Sequence, residues 1–229
     1  MNMQETSTVV FIVAALLLMT VGRLFLGKRD KQRTAEFMQV ANDLRIPFSN
    51  KGDRSLIKQF NSLWRFRRGG HSRPKNVFLE DKGGVQFTFF ESQKNNRTSS
   101  SNQSGQRVLE GMFCFSSNHL DLPNFALHAA EELQQMFLDL LGFKDINFEN
   151  HPGFSKKYLL NSDDEKAVRA FFNDELIGFL EGLDGFNIEG CGHQLMIYRP
   201  DVRVEPGEFR QLKQEASRIF DRFHMNARA

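Results

Sequence analysis

The sequence has little cysteine, tyrosine and tryptophan: two, two and one residues among 229. Two thiols, Cys114 and Cys191, exclude a disulfide-stapled fold, and their apolar sequence neighbours indicate reduced, buried side chains. Phenylalanine, in contrast, occurs 24 times. Because a phenyl ring carries no hydrogen-bonding group, this excess favours core packing over a recognition surface. We therefore expect one globular core rich in phenylalanine.

Catalytic and metal-binding spacings are also missing. The histidines lack the paired spacing of a helical zinc site, and the weak pair His128 and Glu131 fits a helix start better. Gly153 and Ser155 are not followed by the second glycine of a nucleophile elbow. The glycines of GFNIEGCG lack the Lys-Ser/Thr of a phosphate-binding loop. Helix capping explains the acidic residues 163–165. We expect no metal, no cofactor and no catalytic motif.

One long uncharged run is present. Thr8–Gly22 has no charged residue, and three more apolar residues follow Arg23. As a helix this stretch is about 27 Å long, so we expect a transmembrane helix over residues 8–27. A cleaved signal, disfavoured by basic residues that follow the run, and a buried core helix are the alternatives. The flanking charges predict a single-pass inner-membrane protein with residues 1–7 outside and the large domain in the cytoplasm.

Apolar periodicity predicts the elements of the remaining chain. Helical spacing predicts helices at residues 35–46 and near 53–64. Alternation around the Gly83–Gly84 turn predicts a hairpin over residues 76–92, which a strand at 107–117 extends to a meander. The further predictions are a helix ending at Gly142, strands at 145–149 and 154–160, helices opening at Ser162 and Asn173, a hairpin over 186–198 and a helix from Pro206.

These elements predict an α+β fold: an N-terminal transmembrane helix followed by a mainly antiparallel sheet packed with helices. Residues 28–33 form a basic juxtamembrane segment, and residues 34–225 form the cytoplasmic α+β domain. A division of this domain into two subdomains that meet near residues 117–125 stays open. Residues 93–106 contain no apolar side chain, so we expect a mobile, solvated loop.

Charge is unevenly distributed along the chain. Residues 1–75 contain 14 Lys and Arg against 5 Asp and Glu, whereas the rest contains 16 against 23. The basic third is expected next to the membrane, where Lys and Arg favour anionic headgroups. Topology signalling and a solvated loop are simpler explanations, and nucleic acid is not expected. The candidate contacts to lipid or phosphate are Arg65, Arg67, Arg68, Arg73 and Lys75.

The second half of the sequence resembles a widespread group of uncharacterised bacterial membrane-anchored proteins, and the resemblance extends over about residues 34–225. The residues that carry the resemblance are Asp145, Phe148, Phe154, Ser155, Tyr158, Val168, Phe171, Glu189 and Arg199. The resemblance implies the extent of the domain and its anchoring, and no activity. The chain departs from the group after the first hairpin, where TFFESQ leads into a polar loop instead of an aromatic-plus-Asp pattern.

The leading functional prediction is a membrane-anchored cytoplasmic binding or scaffolding module without catalytic activity, with an unknown protein partner. One alternative is a peripheral domain that binds anionic lipid. Another is a membrane-tethered enzyme with a noncontiguous site. Its candidate pocket residues are His151, Tyr158, Arg169 and His193, although the Tyr158 hydroxyl and the Arg169 guanidinium also fit ordinary structural roles.

Overall fold

Eight strands form one antiparallel sheet in the computed structural model, which describes residues 28–67, 71–93, 109–130 and 145–228. The order across the sheet is β1-β2-β3-β4-β8-β7-β5-β6. The strands are β1 Phe48–Lys51, β2 Lys75–Lys82, β3 Val85–Ser92, β4 Glu110–Ser117, β5 Leu122–Ala129, β6 Tyr158–Asn161, β7 Asn187–Gly192 and β8 Gln194–Tyr198.

Helices cover both faces of this sheet. The first, α1, is described over residues 28–44. The others are α2 Arg54–Gln59, α3 Trp64–Arg67, α4 Pro152–Lys157, α5 Glu165–Phe171, α6 Asp174–Glu181 and α7 Phe209–Asn226. Asp53 and Asn173 accept hydrogen bonds from the first turns of α2 and α6, so both helices begin at a polar cap.

Phenylalanine fills the core on the face covered by α1 and α7. Along β3, Phe87 and Phe89 point into this larger core, while Phe90 points into a smaller one beneath α2 and α3. This split follows from the alternation of side chains along a strand. Phe209, the first residue of α7, stacks on Phe78 with ring centroids 4.3 Å apart. The phenylalanine excess is therefore packing material, as expected.

Several sequence predictions are confirmed by these elements. The hairpin of β2 and β3 turns at Gly83 and Gly84, which both have positive φ, and β4 completes the meander. The hairpin of β7 and β8, the Asn173 cap and the amphipathic last helix are also present. Residues 117–125, where two subdomains could have met, extend from the last residue of β4 into β5, and both strands belong to the same sheet.

Other predicted elements are wrong in detail. Residues 154–160 do not form one strand, because Pro152 starts the helix α4, and β6 begins only at Tyr158. The predicted strand at 145–149 is reduced to a single bridge between Asp145 and Asn161. Asp164, not Ser162, caps α5. The strand β5, next to the edge strand β6, is not evident from the sequence because Pro123, Asn124 and His128 obscure its alternation.

The predicted fold class needs one correction. Among the described residues no helix is both long and apolar enough to cross a membrane. The longest helices of the described ranges, α1 and α7, each present one buried face and one charged, exposed face. The expected span, residues 8–27, lies outside the described residues, as do residues 94–106 of the polar loop and the predicted helix before Gly142. The described fold is an eight-stranded antiparallel sheet with helices.

Candidate functional site

A buried ion pair joins α1 to the end of β3. Arg33 donates to both carboxylate oxygens of Glu91, from Nη1 at 2.8 Å and Nη2 at 2.5 Å. Asn76 Nδ2 donates to the same carboxylate at 2.6 Å. Burial lowers the pKa of Arg33, but the hydrogen bond and charge of Glu91 outweigh burial and raise it. The Arg33 guanidinium therefore stays charged at any physiological pH.

A second buried ion pair lies on the opposite face of the sheet. Arg65, on α3, contacts Glu110 at the start of β4, and its guanidinium lies 4.5 Å from the centroid of the Tyr198 ring. The backbone N–H of Arg65 donates to Glu189 at 2.9 Å, and the Tyr198 hydroxyl donates to the same carboxylate at 3.1 Å. Arg65 is therefore a fixed structural residue of the smaller core.

The two ion pairs hold the connection between β8 and α7. Glu110 also accepts from the backbone N–H of Asp201 at 2.9 Å, and Arg33 donates to the carbonyl of Val204. Val204 packs against Gly111, where a Cβ would overlap it. Residues 201–204 are thereby anchored at both ends, beside the start of β4 and the end of β3. These contacts fix the backbone of the loop on both sides of Val202.

Basic side chains gather around this anchored loop. Asp30 on α1 contacts Arg203 at 2.9 Å and Lys75 at 3.8 Å, which brings three separate segments together. Exposed basic residues flank these contacts on α1, on β1 and just before β2. We call the resulting surface the basic end; it comprises Lys28, Arg29, Lys31, Lys51, Arg73, Lys75 and Arg203.

Two lysines of the basic end face each other. Lys51 on β1 is the direct antiparallel partner of Lys75 on β2. Like charges at directly opposed positions destabilise a sheet, because the side chains stand on the same face a few ångströms apart. Two carboxylates lie beside Lys75: Asp30, 3.8 Å from its ammonium in an exposed contact, and Glu91, its antiparallel partner on β3, which is itself paired with Arg33. A local cost of this kind without an evident structural gain is typical of a functional surface.

An apolar side chain stands at the tip of the anchored loop. Val202 is 43 % exposed and lies between Asp201 and Arg203. Asp201 has a φ of 53°, a left-handed conformation that turns the chain at this point. The basic end therefore combines exposed cations with one projecting valine.

The structure separates the five predicted contacts to lipid or phosphate. The Arg65 side chain is only 9 % exposed and paired, so burial corrects its predicted role as a surface contact. Arg67 lies 3.4 Å from Asp163, on a different part of the surface. Arg68 lies outside the described residues. Arg73 and Lys75 are exposed and belong to the basic end.

Sequence reasoning missed Lys51, Val202 and Arg203. The sequence shows one contiguous basic segment, whereas these residues come from β1 and from the loop before α7. The like-charge pair was hidden because β1 was not predicted as a strand. An edge strand of four residues with the sequence FSNK carries too little alternation to be recognised.

The four predicted pocket residues do not share a contact. Each is bound to a partner of its own through a hydrogen bond or an ion pair. His151 Nε2 lies 3.0 Å from Asp174 Oδ1, and the Tyr158 hydroxyl donates to the Leu183 carbonyl at 2.9 Å. Arg169 Nη1 donates to the Asn147 carbonyl at 2.9 Å. His193 Nδ1 lies 2.5 Å from the Leu120 carbonyl oxygen.

Tyr158, one of these four residues, lines a cavity of about 390 Å³ beside Lys156, Lys157 and Asp184. The Lys157 ammonium is neutralised by Asp184 at 2.7 Å. Burial raises the pKa of Tyr158, with a smaller contribution from the Asp184 charge, and its hydroxyl donates to a backbone carbonyl. Tyr158 therefore serves to hold the loop before β7. In the described part of the chain no group of three or more His, Cys, Asp or Glu is arranged to hold a metal ion.

The sequence matches no protein-family model, and the search of curated proteins found no match either. The structure is similar to the crystal structure of the mycobacterial trehalose monomycolate transport factor A, TtfA, with a TM-score of 0.57 and 11 % sequence identity. The match covers 84 % of this chain and 93 % of that chain. At this identity the likeness concerns the fold alone.

Proposed function

We propose that this chain is a noncatalytic binding module whose basic end contacts an anionic partner. The observation that carries the proposal is the opposition of Lys51 and Lys75 on neighbouring strands. Their mutual repulsion is relieved when an anionic group approaches both ammonium groups, so the partner recovers the stability that the sheet loses. The two lysines thus lower the stability of the free sheet and favour binding of an anion, and such a local cost in stability is common at functional sites.

The rigidity of the basic end supports the same proposal. Arg33 of α1 and Arg65 of α3 form buried ion pairs with Glu91 and Glu110. Through Arg33 and Glu110 these pairs also bind the backbone of the loop that carries Arg203. A partner that binds a surface already held in one conformation loses less entropy on association. Buried ion pairs add little net stability, and specifying one arrangement is the use that fits them here.

The structural neighbour supports a role as an accessory protein. By its name, TtfA is a factor in the transport of trehalose monomycolate. A shared fold does not transfer a function, but it agrees with a module that binds another component instead of transforming a substrate. We therefore favour a binding or scaffolding role, with transport as the process in which it takes place.

Retention of the full-length chain on immobilised heparin, a polyanionic probe, tests the proposal. The double variant Lys51→Glu/Lys75→Glu is compared with Lys82→Glu/Lys166→Glu, which removes exposed lysines at the other end of β2 and on α5. Both variants lower the formal net charge of +2 by the same amount. We expect only the first to elute at distinctly lower salt. Equal elution of the two variants would contradict the proposal.

A further inference from the structure

We infer that the anionic partner of the basic end is the surface of a lipid bilayer, into which the side chain of Val202 inserts. This inference rests on the proposed function and names the partner class. Three observations carry it: the exposed valine at the tip of the anchored loop, the breadth of the charged surface, and the composition of the chain that leads into α1.

The exposed valine is the first observation. Val202 lies between the exposed Asp201 and Arg203, whose guanidinium is held by Asp30 at 2.9 Å. An acidic protein surface offers carboxylates to the cations, but it gains little from an isolated valine. A bilayer accepts both, because an apolar side chain enters below the headgroups while neighbouring cations stay among the phosphates.

The breadth of the charged surface is the second observation. The cations of the basic end come from α1, β1, the start of β2 and the loop before α7, so they cover a surface and do not line a pocket. Most of them are lysines, which act as point charges without the bidentate geometry of arginine. Such a surface matches many mobile headgroups better than one oriented carboxylate or phosphate.

The chain that leads into α1 is the third observation. The uncharged run Thr8–Gly22 ends shortly before Lys28, the first residue of the basic end. Its structure lies outside the described residues, but its composition alone places many apolar side chains close in sequence to the basic end. A lipid surface is the partner that takes apolar and basic groups side by side.

Partition of the full-length chain into lipid vesicles tests the role of the cations. Vesicles of pure phosphatidylcholine are compared with vesicles that contain equal parts of phosphatidylcholine and phosphatidylglycerol, at low salt and at about 0.5 M salt, where screening is strong. We expect the anionic lipid to increase partition at low salt only. Lys51→Glu/Lys75→Glu should reduce this increase at least about tenfold, since each basic residue near an anionic leaflet contributes measurably. The control Lys82→Glu/Lys166→Glu should keep it.

Tryptophan fluorescence tests the insertion of Val202. A Val202→Trp variant is mixed with the same anionic vesicles containing brominated acyl chains, which quench indoles that reach them. Met225→Trp is the matched control: Met225 is 58 % exposed and lies about 24 Å along α7 from Phe209. Quenching is read as the difference from the wild type, which contains Trp64. We expect the indole introduced by Val202→Trp to be quenched and the one introduced by Met225→Trp to keep its fluorescence.

The outcomes separate this inference from the proposed function. Equal partition into neutral and anionic vesicles, or equal quenching of the two tryptophan variants, overturns the bilayer as the partner. If heparin retention still depends on Lys51 and Lys75 in that case, the basic end binds an anion of another kind, such as an acidic protein. If neither heparin retention nor partition depends on the two lysines, both proposals fail.

Discussion

Arg65 and Glu110 form a buried ion pair that joins the short helix α3 to the first residue of β4, with side chains 9 % and 6 % exposed. We expect Glu110→Gln to lower the free energy of unfolding by about 3–5 kcal/mol, because it leaves a buried guanidinium without its carboxylate. Urea unfolding followed by circular dichroism measures this change.

The matched control for that pair is the double variant Arg65→Met/Glu110→Leu. It removes both charges and keeps apolar volume, so its cost should be clearly smaller than that of Glu110→Gln. If the single variant unfolds at the wild-type urea concentration, the ion pair does not hold α3 against the sheet.

Gly190 tests the packing of the larger core. A Cβ at this position would overlap the ring of Phe125, which stacks on Phe223 with centroids 5.6 Å apart and cannot easily move. We expect Gly190→Ala to cost about 1–3 kcal/mol in thermal or urea unfolding. Gly178, inside α6, has no neighbour that a Cβ would meet. Gly178→Ala should therefore stabilise by about 0.5–1 kcal/mol, and an equal effect of both changes would contradict the packing.

The two cysteines should differ in reactivity. Burial, with a smaller contribution from the Glu189 charge, raises the pKa of Cys114 well above its usual value, while Cys191 is half-buried. Since the thiolate is the reactive form, we expect a disulfide reagent to label Cys191 quickly and Cys114 only after unfolding. Labelling of Cys191→Ser and Cys114→Ser variants assigns the two rates. Fast labelling of Cys114 in the native state would show that the smaller core opens readily.

His224, on α7, links stability to pH. Burial, followed by the charges of Arg228 and His119, lowers its pKa, while Asp221 acts in the opposite direction. The unfolded chain then binds the proton more readily than the native state, so stability is retained above about pH 6.5 and falls as the pH decreases toward the native pKa.

Replacing this histidine tests the linkage. When the pH is lowered from 7 to below about 6.5, we expect the His224→Gln variant to lose less unfolding free energy than the wild type. Urea unfolding at each pH measures this difference. His151→Gln is the comparison variant, because His151 precedes α4 and contacts Asp174 of α6 instead of α7. An unchanged pH profile in His224→Gln would rule out this residue as the source.

Sequence patterns predicted the local elements where local energies decide them. The turn at Gly83 and Gly84 requires positive φ, and the cap at Asn173 satisfies helical N–H groups, so both could be predicted from a few residues. The stripe of α7 was equally clear, since Phe209, Leu212 and Ala216 recur at helical spacing.

The candidate site could be predicted only in part, because its residues are distant in the chain. Arg73 and Lys75 were identified from a basic segment, whereas Arg65 in the same segment is buried. Residues two apart on a helix point in nearly opposite directions, so α3 turns Arg65 toward Tyr198 and leaves Arg67 closer to the surface. Composition shows which residues are basic, but it does not show which of them find a buried carboxylate.

The sequence by itself determined the phenylalanine core, the meander and the uneven distribution of charge along the chain, since these depend on residue type and on spacing. Only the tertiary structure decided that Lys51 faces Lys75, that Asp30 brings Arg203 to them, and that Glu91 and Glu110 each hold an arginine. Pairing between distant segments depends on strand order and register, which arise from the packing of the whole sheet. For this reason the basic end is a property of the fold and of no single segment.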